Sequence, residues 1–381
     1  MEEKCGKILY ILDCKLNTIG GSQKSSATII NGMIKKKYDV TVISPFVDKI
    51  SGELYNKNVK YIFFKEKKNK IINMINKMLF IKRFFYENNN FDIVHLQNPP
   101  YFIIIAIMLK IKLLTKNNSK FIYTDREFFD SYSWKYKLIF KIAAKMFDQI
   151  ICTTSINQNL WKSVNNNVDV ISNSLEDFWY DYSKEFERRV KDEKNILTKV
   201  NIGFSGRFVA YKRWDNVLKI CESLKDDSNI TFSFAIASSD EKNLKEINEY
   251  KERLEKILGD NVLFLLNASK EQMIEFYYLI DIFILTSEGE SFGRTLLESM
   301  TKSNVVFGTN SGGVPDVIKN KSFLFEVDDI EYVIEKIKNY SCDNKLLEKD
   351  KKLFINYVRE NFSCKKMIDD HQKLYNKLNV N

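Results

Sequence analysis

The sequence predicts an α/β protein built from two doubly wound, parallel-sheet domains. Three observations lead there. The chain has 381 residues, large for one core and ample for two, since single domains run ~100–200 residues. Short β-branched and aromatic runs alternate with longer helical stretches, the pattern of repeated β–α units. Many of those runs are continuously apolar rather than alternating, as strands covered on both faces of a parallel sheet are.

In chain order, a first series of strands is expected at Lys7–Leu12, Val40–Ser44, Val59–Phe64, Phe91–His95, Lys120–Thr124, Gln149–Thr153 and Val168–Ile171. A second is expected at Ile202–Ser205, Thr231–Ala237, Val262–Leu266, Ile282–Leu285, Asn304–Gly308 and Ser322–Phe325. Between them lies KEFERRVKDEKNILTK at 184–199, charged and poor in apolar residues. The expected division is a domain at 1–185, a linker at 186–199, a second domain at 200–360 and a C-terminal helix at 361–381. The run YFIIIAIMLKIKLL at 101–114 imitates a membrane span. It falls short of the ~20 residues a span needs and carries Lys110 and Lys112, so a buried helix is expected.

A chain that is 44% hydrophobic and 29% charged is folded rather than disordered. Its net charge of +9 is uneven: residues 1–190 hold 30 of the 59 Lys+Arg but only 19 of the 50 Asp+Glu. The excess implies a polyanionic partner or an anionic membrane surface for the first half, or no more than lysine-rich solvation. Nucleic acid is not expected among the partners. Cys5, Cys14, Cys152, Cys221, Cys342 and Cys364 form no CxxC pair or metal spacing, the usage of a reducing compartment. The opening MEEKCGKILYILDCK is too charged for a signal peptide. A cytoplasmic place is expected, peripheral at the inner face of the membrane if the basic half touches lipid. His95 is read as structural and His371, in the terminal helix, as surface.

Ligands of open parallel sheets sit beyond the carboxyl ends of the strands, so the loops there carry the functional argument. The first, TSEGESFGRTLLESM at 286–300, sets Glu290 in a Gly-containing loop and Glu298 inside the following helix. Glycines at 289 and 293 allow close backbone approach, and the free N–H groups of a helix start favour an anion. The two carboxylates would be poor phosphate ligands but good acceptors for sugar and ribose hydroxyls. The blander reading makes Glu290 a helix-start charge and Glu298 a solvated helix residue.

The second loop, IGFSGRFVAYKRWD at 202–215, places Gly206, Arg207, Lys212 and Arg213 just after a strand. Cations there suit a diphosphate, with Arg offering a fork and Lys a point charge. A basic surface loop would explain the charges but not the Gly-Arg pair. The third, SGGVPD at 311–316, reads as a tight turn with backbone free for a substrate, or as a plain turn.

These motifs, in this order, resemble the large family of retaining GT-B glycosyltransferases of group 1, which includes enzymes of bacterial envelope polysaccharides. The Glu-x7-Glu hallmark is Glu290 and Glu298; Gly206, Arg207 and Lys212 match the family's Gly-Arg…Lys; Gly312-Gly313 matches its Gly-Gly turn. The first half agrees more loosely through Gly20-Gly21, DIVHLQ at 92–97, FIYTDREFF at 121–129 and VISNS at 170–174.

The resemblance implies a GT-B fold, two Rossmann-like domains facing a cleft, with the C-terminal helix crossing back. It implies a donor nucleoside-diphosphate sugar, UDP before GDP, and a glycan or lipid-linked acceptor in cell-envelope polysaccharide synthesis. Arg207 and Lys212 would neutralise the departing diphosphate, Glu298 would take the ribose, and Glu290 the sugar with backbone at Ser291, Phe292 and Gly293. Gly20 and Gly21 would bring backbone near the phosphates. No cofactor and no metal are implied, the two cations standing in the metal's place, and Asp328-Asp329 is read as surface. The alternative is a non-catalytic relative that binds glycan or supports a partner.

The chain departs from the family where Thr124 is followed by Asp125 and Arg126 instead of a Thr-x-His, and where Ser291 replaces Gly. Arg294 replaces a small or aliphatic residue, and reaches a donor phosphate or charged sugar, or is an exposed helix cation. Asp125, Arg126 and Glu127 are the acceptor-side candidates, with Phe128, Phe129, Tyr132 and Trp134 nearby. In the basic segment 65–86, Ile71, Met74, Ile75, Met78 and Phe85 fall near one helical face flanked by Lys70, Lys77 and Lys82. That is a helix lying on an anionic membrane or an ordinary amphipathic helix against the sheet.

Overall fold

The computed structural model describes the chain except residues 1–4, 18–19, 51, 53–54, 57–58, 89, 98–118, 127–132, 181–198, 239, 260–261 and 380–381. The 101–114 run, Glu127, Phe128, Phe129, Tyr132 and all but Lys199 of the 186–199 linker therefore lie outside the described residues. Two compact units result: unit 1 is Met1–Glu176 with Cys364–Asn381, and unit 2 is Asp177–Ser363.

Unit 1 is a seven-stranded parallel sheet of β1 (Lys7–Leu12), β2 (Asp39–Pro45), β3 (Lys60–Phe64), β4 (Ile93–Gln97), β5 (Lys120–Asp125), β6 (Gln149–Cys152) and β7 (Val168–Val170). Its order is β3-β2-β1-β4-β5-β6-β7, the doubly wound arrangement expected. Alternate residues leave opposite faces of a strand, so each β-run feeds two cores. Leu9, Ile11, Leu96, Phe121 and Tyr123 pack with α2 (Lys70–Glu87), α3 (Trp134–Ala144) and α4 (Ser155–Lys162). Ile8, Tyr10, Val42 and Ile122 pack on the other face with α1 (Gly21–Lys35) and the terminal helix α13 (Cys364–Asn379). The helices α1 and α13 approach so closely that a methyl group at Gly32 would fall 2.5 Å from the Ile368 side chain.

The terminal helix corrects one expectation. His371 is buried, only 2% exposed, because this face of α13 turns toward the sheet of unit 1 rather than toward water. Its Nδ1 lies 2.8 Å from the Met367 carbonyl, and its ring centroid 6.1 Å from that of His95. His95 is structural, as read: Nδ1 meets Tyr375 Oη at 2.6 Å and Nε2 meets Thr124 Oγ1 at 2.6 Å. Burial, reinforced by the His371 and Arg126 charges, holds the His95 pKa well below its usual value. Burial pushes His371 down to about 4. Both rings are neutral at pH 7.

A second correction concerns α2. Asn69 caps it through the Ile71 and Ile72 amides, but its apolar residues occupy two sides. Ile81, Phe84 and Phe85 enter the core while Ile71 and Ile75 remain exposed. Lys77 does not flank the helix; it is 1% exposed, its Nζ 2.6 Å from Asp13 Oδ1 and 3.5 Å from Glu66 Oε1. A lysine can be buried when paired this closely. Among the described residues no helix is long and apolar enough to cross a membrane.

Unit 2 is a six-stranded parallel sheet: β8 (Val200–Arg207), β9 (Ile230–Ala237), β10 (Leu263–Leu266), β11 (Ile282–Leu285), β12 (Val305–Thr309) and β13 (Leu324–Phe325), ordered β10-β9-β8-β11-β12-β13. Its helices are α5 (Asp177–Tyr180), α6 (Trp214–Leu224), α7 (Glu241–Leu258), α8 (Lys270–Leu279), α9 (Arg294–Met300), α10 (Val314–Val317), α11 (Ile330–Cys342) and α12 (Asn344–Asn361). Helix starts follow ordinary chemistry: Asp240 caps α7, Ser269 and Gln272 form a capping box on α8, and Asp343 caps α12. Helices α6, α9 and α10 have no such cap. Of these, α9 follows Gly293, which holds φ +86, in the loop singled out by sequence.

Candidate functional site

The carboxyl ends of β8, β11 and β12, three neighbouring strands, carry the three sequence motifs, and their loops are laced together. Strand β8 ends at Gly206-Arg207, and the chain makes a 3-10 turn at Ala210–Lys212 before α6. The loop after β11 binds that turn twice: Thr286 Oγ1 donates to the Lys212 carbonyl at 2.8 Å, and the Glu288 amide to the Tyr211 carbonyl at 2.7 Å. The loop after β12 binds the β11 loop in turn. The Gly313 amide donates to the Glu290 carbonyl at 2.7 Å, Ser311 Oγ accepts from the Gly289 amide at 2.9 Å, and Thr309 Oγ1 donates to the Ser287 carbonyl. Gly312 explains itself here: at φ +58, a Cβ would lie 2.2 Å from the Glu290 carbonyl oxygen, which no side chain tolerates.

Lys212 and Glu290 meet in this frame. The Lys212 Nζ donates to Glu290 Oε2 at 2.5 Å, and the two side chains are 10% and 14% exposed. The ammonium also lies 5.4 Å from the Tyr211 ring centroid. Arg207 is exposed, its Nη2 donating to Tyr211 Oη at 3.2 Å. Gly206 has φ +155, and Lys212 runs beside it, its Cε 3.4 Å from where a Cβ would sit.

Arg213, the third cation of the motif, is engaged elsewhere. It occupies a left-handed conformation (φ +50) and binds Asp215, Glu288 and Asp328 at 3.2–3.4 Å. Hydrogen bonding to Asp215 is the main reason its pKa is driven further up. Its charge is thus shared among three carboxylates, whereas Lys212 pairs with Glu290 and Arg207 donates to a phenol.

Glu298 is not a solvated helix residue. It takes a hydrogen bond from Tyr277 Oη at 3.2 Å, and Tyr277 Oη lies 2.9 Å from Ser205 Oγ at the end of β8. Burial, then the Glu298 charge, raises the Tyr277 pKa well above its usual value, so the phenol stays a neutral donor. Arg294, one turn earlier on α9, sets Nε 3.8 Å from Glu298 Oε1, with both side chains under 15% exposed. It is therefore not an exposed helix cation. Phe292 is buried against Phe362, centroids 6.2 Å apart, and Ser291 and Gly293 complete the backbone between the two glutamates. Tyr277, Ser205 and Tyr211 were missed from sequence; a tyrosine on an apolar helix face gives no signal that separates it from core.

In unit 1 the first-half motifs fall at the start of α1, along β4 and β5, and after β7. Gly20 precedes α1 and accepts from the Lys24 amide at 2.9 Å, and Gly21 opens that helix. Asp125 ends β5 wholly buried, accepting from Trp161 Nε1 at 2.6 Å. Arg126 is 7% exposed; its Nη2 donates to Gln97 Oε1 at 2.6 Å and its Nη1 to Asn173 Oδ1. Gln97 also accepts from Ser26 Oγ at 3.2 Å. Arg126 thus ties the ends of β4 and β5 to the segment after β7, a link that sequence alone left unassigned.

The chain matches two families in succession: Glycosyltransferase Family 4 over residues 19–176 and Glycosyl transferases group 1 over residues 185–360. It is 26% identical over 326 residues, 81% of this chain and 85% of the relative, to an uncharacterized 41.2 kDa protein in the cps region of Klebsiella pneumoniae. Its fold matches a glycosyltransferase from Rickettsia africae, TM-score 0.77 and 20% identity, covering 98% of each chain. It likewise matches Anabaena Alr3699/HepE, solved in complex with UDP-glucose, TM-score 0.76 and 14% identity, over 98% of this chain and 100% of that one. With both units covered by family matches and the doubly wound sheets in place, the chain belongs to the group 1 glycosyltransferases and has the GT-B fold.

Proposed function

We propose that the protein transfers a sugar, with retention, from a nucleoside-diphosphate donor bound at the β8, β11 and β12 loops to a glycan or lipid-linked acceptor. The observation that carries this is the Lys212–Glu290 pair at 2.5 Å. Without donor, the ammonium and carboxylate neutralise each other. A diphosphate competes for Lys212 and sugar hydroxyls compete for Glu290, so one ligand satisfies both. Arg207 adds a second cation for the charge that develops on the leaving diphosphate. With these cations in place the transfer is proposed to need no metal ion.

Glu298, held by Tyr277 and Arg294, is proposed to accept the ribose hydroxyls. UDP is the preferred carrier, a reading supported by the UDP-glucose complex of Alr3699/HepE. The Klebsiella pneumoniae relative in a cps region supports a role in envelope polysaccharide assembly, peripheral at a membrane that holds the acceptor. Arg126 and its Gln97 and Asn173 partners are proposed to serve the acceptor in unit 1. The non-catalytic alternative is disfavoured because Arg207, Lys212, Glu290 and Glu298 are all kept and gathered.

Release of nucleoside diphosphate from a panel of UDP- and GDP-sugars, with and without acceptor extracts, tests the reading. A binding-only protein releases none. Thermal-shift titration identifies the carrier, since a ligand at 100 times its Kd adds about 2.7 kcal/mol to the folded state.

A further inference from the structure

We propose that unit 1 docks on an anionic lipid bilayer through the outward faces of two helices, α2 and α3. This locates the membrane-held acceptor proposed above and rests on that reading for its purpose, though not for its evidence. Of the fourteen large hydrophobic side chains exposed among the described residues, nine lie on these two helices. They form stripes. On α2, Ile71, Ile75 and Leu79 follow one another at i, i+4, and Leu79 is 62% exposed. On α3, Trp134, Leu138 and Ile142 do the same, and Ile142 is 61% exposed. Residues at this spacing share one helical face.

The two stripes point the same way. Phe85 of α2 lies against Phe121, centroids 6.4 Å apart, and Phe140 of α3 lies against Tyr123 at 6.2 Å. Phe121 and Tyr123 are two residues apart on β5 and so leave the same face of the sheet. Both helices therefore cover that face, and their opposite sides face outward together. Exposed apolar area of this extent marks an interaction surface rather than ordinary scatter.

Charge names the occupant. Lys82 and Arg83 are exposed near the end of α2, Arg83 in an exposed 2.9 Å pair with Glu87, and Lys141 and Lys145 are exposed at the end of α3. Helix α3 contains no acidic residue, and α2 only Glu87 at its last position. Apolar side chains rimmed by cations match an interface of acyl chains beneath anionic headgroups. A second copy of the chain fits poorly, because a twofold contact would set cations against cations.

The test is co-sedimentation of the full chain, without nucleotide, with vesicles of phosphatidylcholine alone or mixed with phosphatidylglycerol. The expected result is binding to the mixed vesicles, weakened by salt. Lys82→Glu with Arg83→Glu should cut it by about 25-fold, at about fivefold per cation removed. Leu79→Glu with Ile142→Glu should abolish it with an unchanged unfolding temperature, since both side chains already face water. Equal binding to both vesicle types, no binding to either, or a dimer in solution that Leu79→Glu breaks would each overturn the proposal. Diphosphate release by the same variants is measured separately. Vesicle binding without release defeats only the transferase reading, and release without vesicle binding defeats only this one.

Discussion

Replacing Lys212 by Met keeps the length of the side chain and removes its charge, leaving Glu290 without its 2.5 Å partner. Breaking a buried pair in this way costs ~3–5 kcal/mol when the remaining charge cannot reach water. Glu290 keeps 14% of its side chain exposed, so part of that loss is recovered by hydration, leaving about 2 kcal/mol. For a domain the size of unit 2, that lowers the unfolding midpoint by about 4–8 °C. On the proposed mechanism turnover should fall by more, ~10²–10³-fold, because there the lost charge also faces the departing diphosphate. The double variant Lys212→Met/Glu290→Gln separates the two effects. With neither charge present, the midpoint should return toward that of the unaltered protein while turnover stays low. Thermal unfolding and diphosphate release, read on the same preparations, give both quantities. Recovery of turnover together with stability would refute the argument, since the pair would then be a structural contact. So would a Lys212→Met protein that turns over at the unaltered rate.

Further outcomes are expected. Arg207→Ala should slow turnover by about a hundredfold yet shift stability by less than about 0.5 kcal/mol, as an exposed residue does, measured by the same two assays. Arg294→Ala should raise the donor KM by roughly tenfold with little change in kcat, by releasing Glu298. A donor lacking both ribose hydroxyls should show no such difference. Gly312→Ala should destabilise unit 2 by about 2–3 kcal/mol, read as a drop in unfolding midpoint, because its Cβ has nowhere to go. The folded pKa of His371 lies below that of the unfolded chain, so unfolded chains bind the proton first as pH falls. Its stabilising effect is therefore complete above pH ~6.5 and lost toward pH 4, about 2 kcal/mol of it between pH 7 and pH 5. Melting curves across that range should flatten for His371→Asn.

The strand framework was legible because fully buried strands write themselves as apolar runs; the thirteen observed strands start and end within a few residues of the expected ones. The motif residues were legible because loops after strands carry the polar residues that helices and sheets do not need. Their partners were not. Lys212 and Glu290 are 78 positions apart, and nothing local says that one neutralises the other. Nor does sequence show that Arg213 is answered by three carboxylates while Arg207 is not. Lys77 and His371 failed for a common reason. Each sits on a helix whose polar residues read as a solvated face, and only tertiary packing decides that one reaches Asp13 and the other turns inward.

Unit 1 is assembled from both ends of the sequence, with all of unit 2 inserted between its pieces. A ribosome therefore emits the seven strands of unit 1 long before it emits α13. Until Met367, Ile368 and Tyr375 emerge, one face of that nascent sheet, with Ile8, Tyr10 and Ile30, lacks the helix that finishes its core. Unit 2 is contiguous and can close first, leaving unit 1 to be sealed only once α13 has emerged.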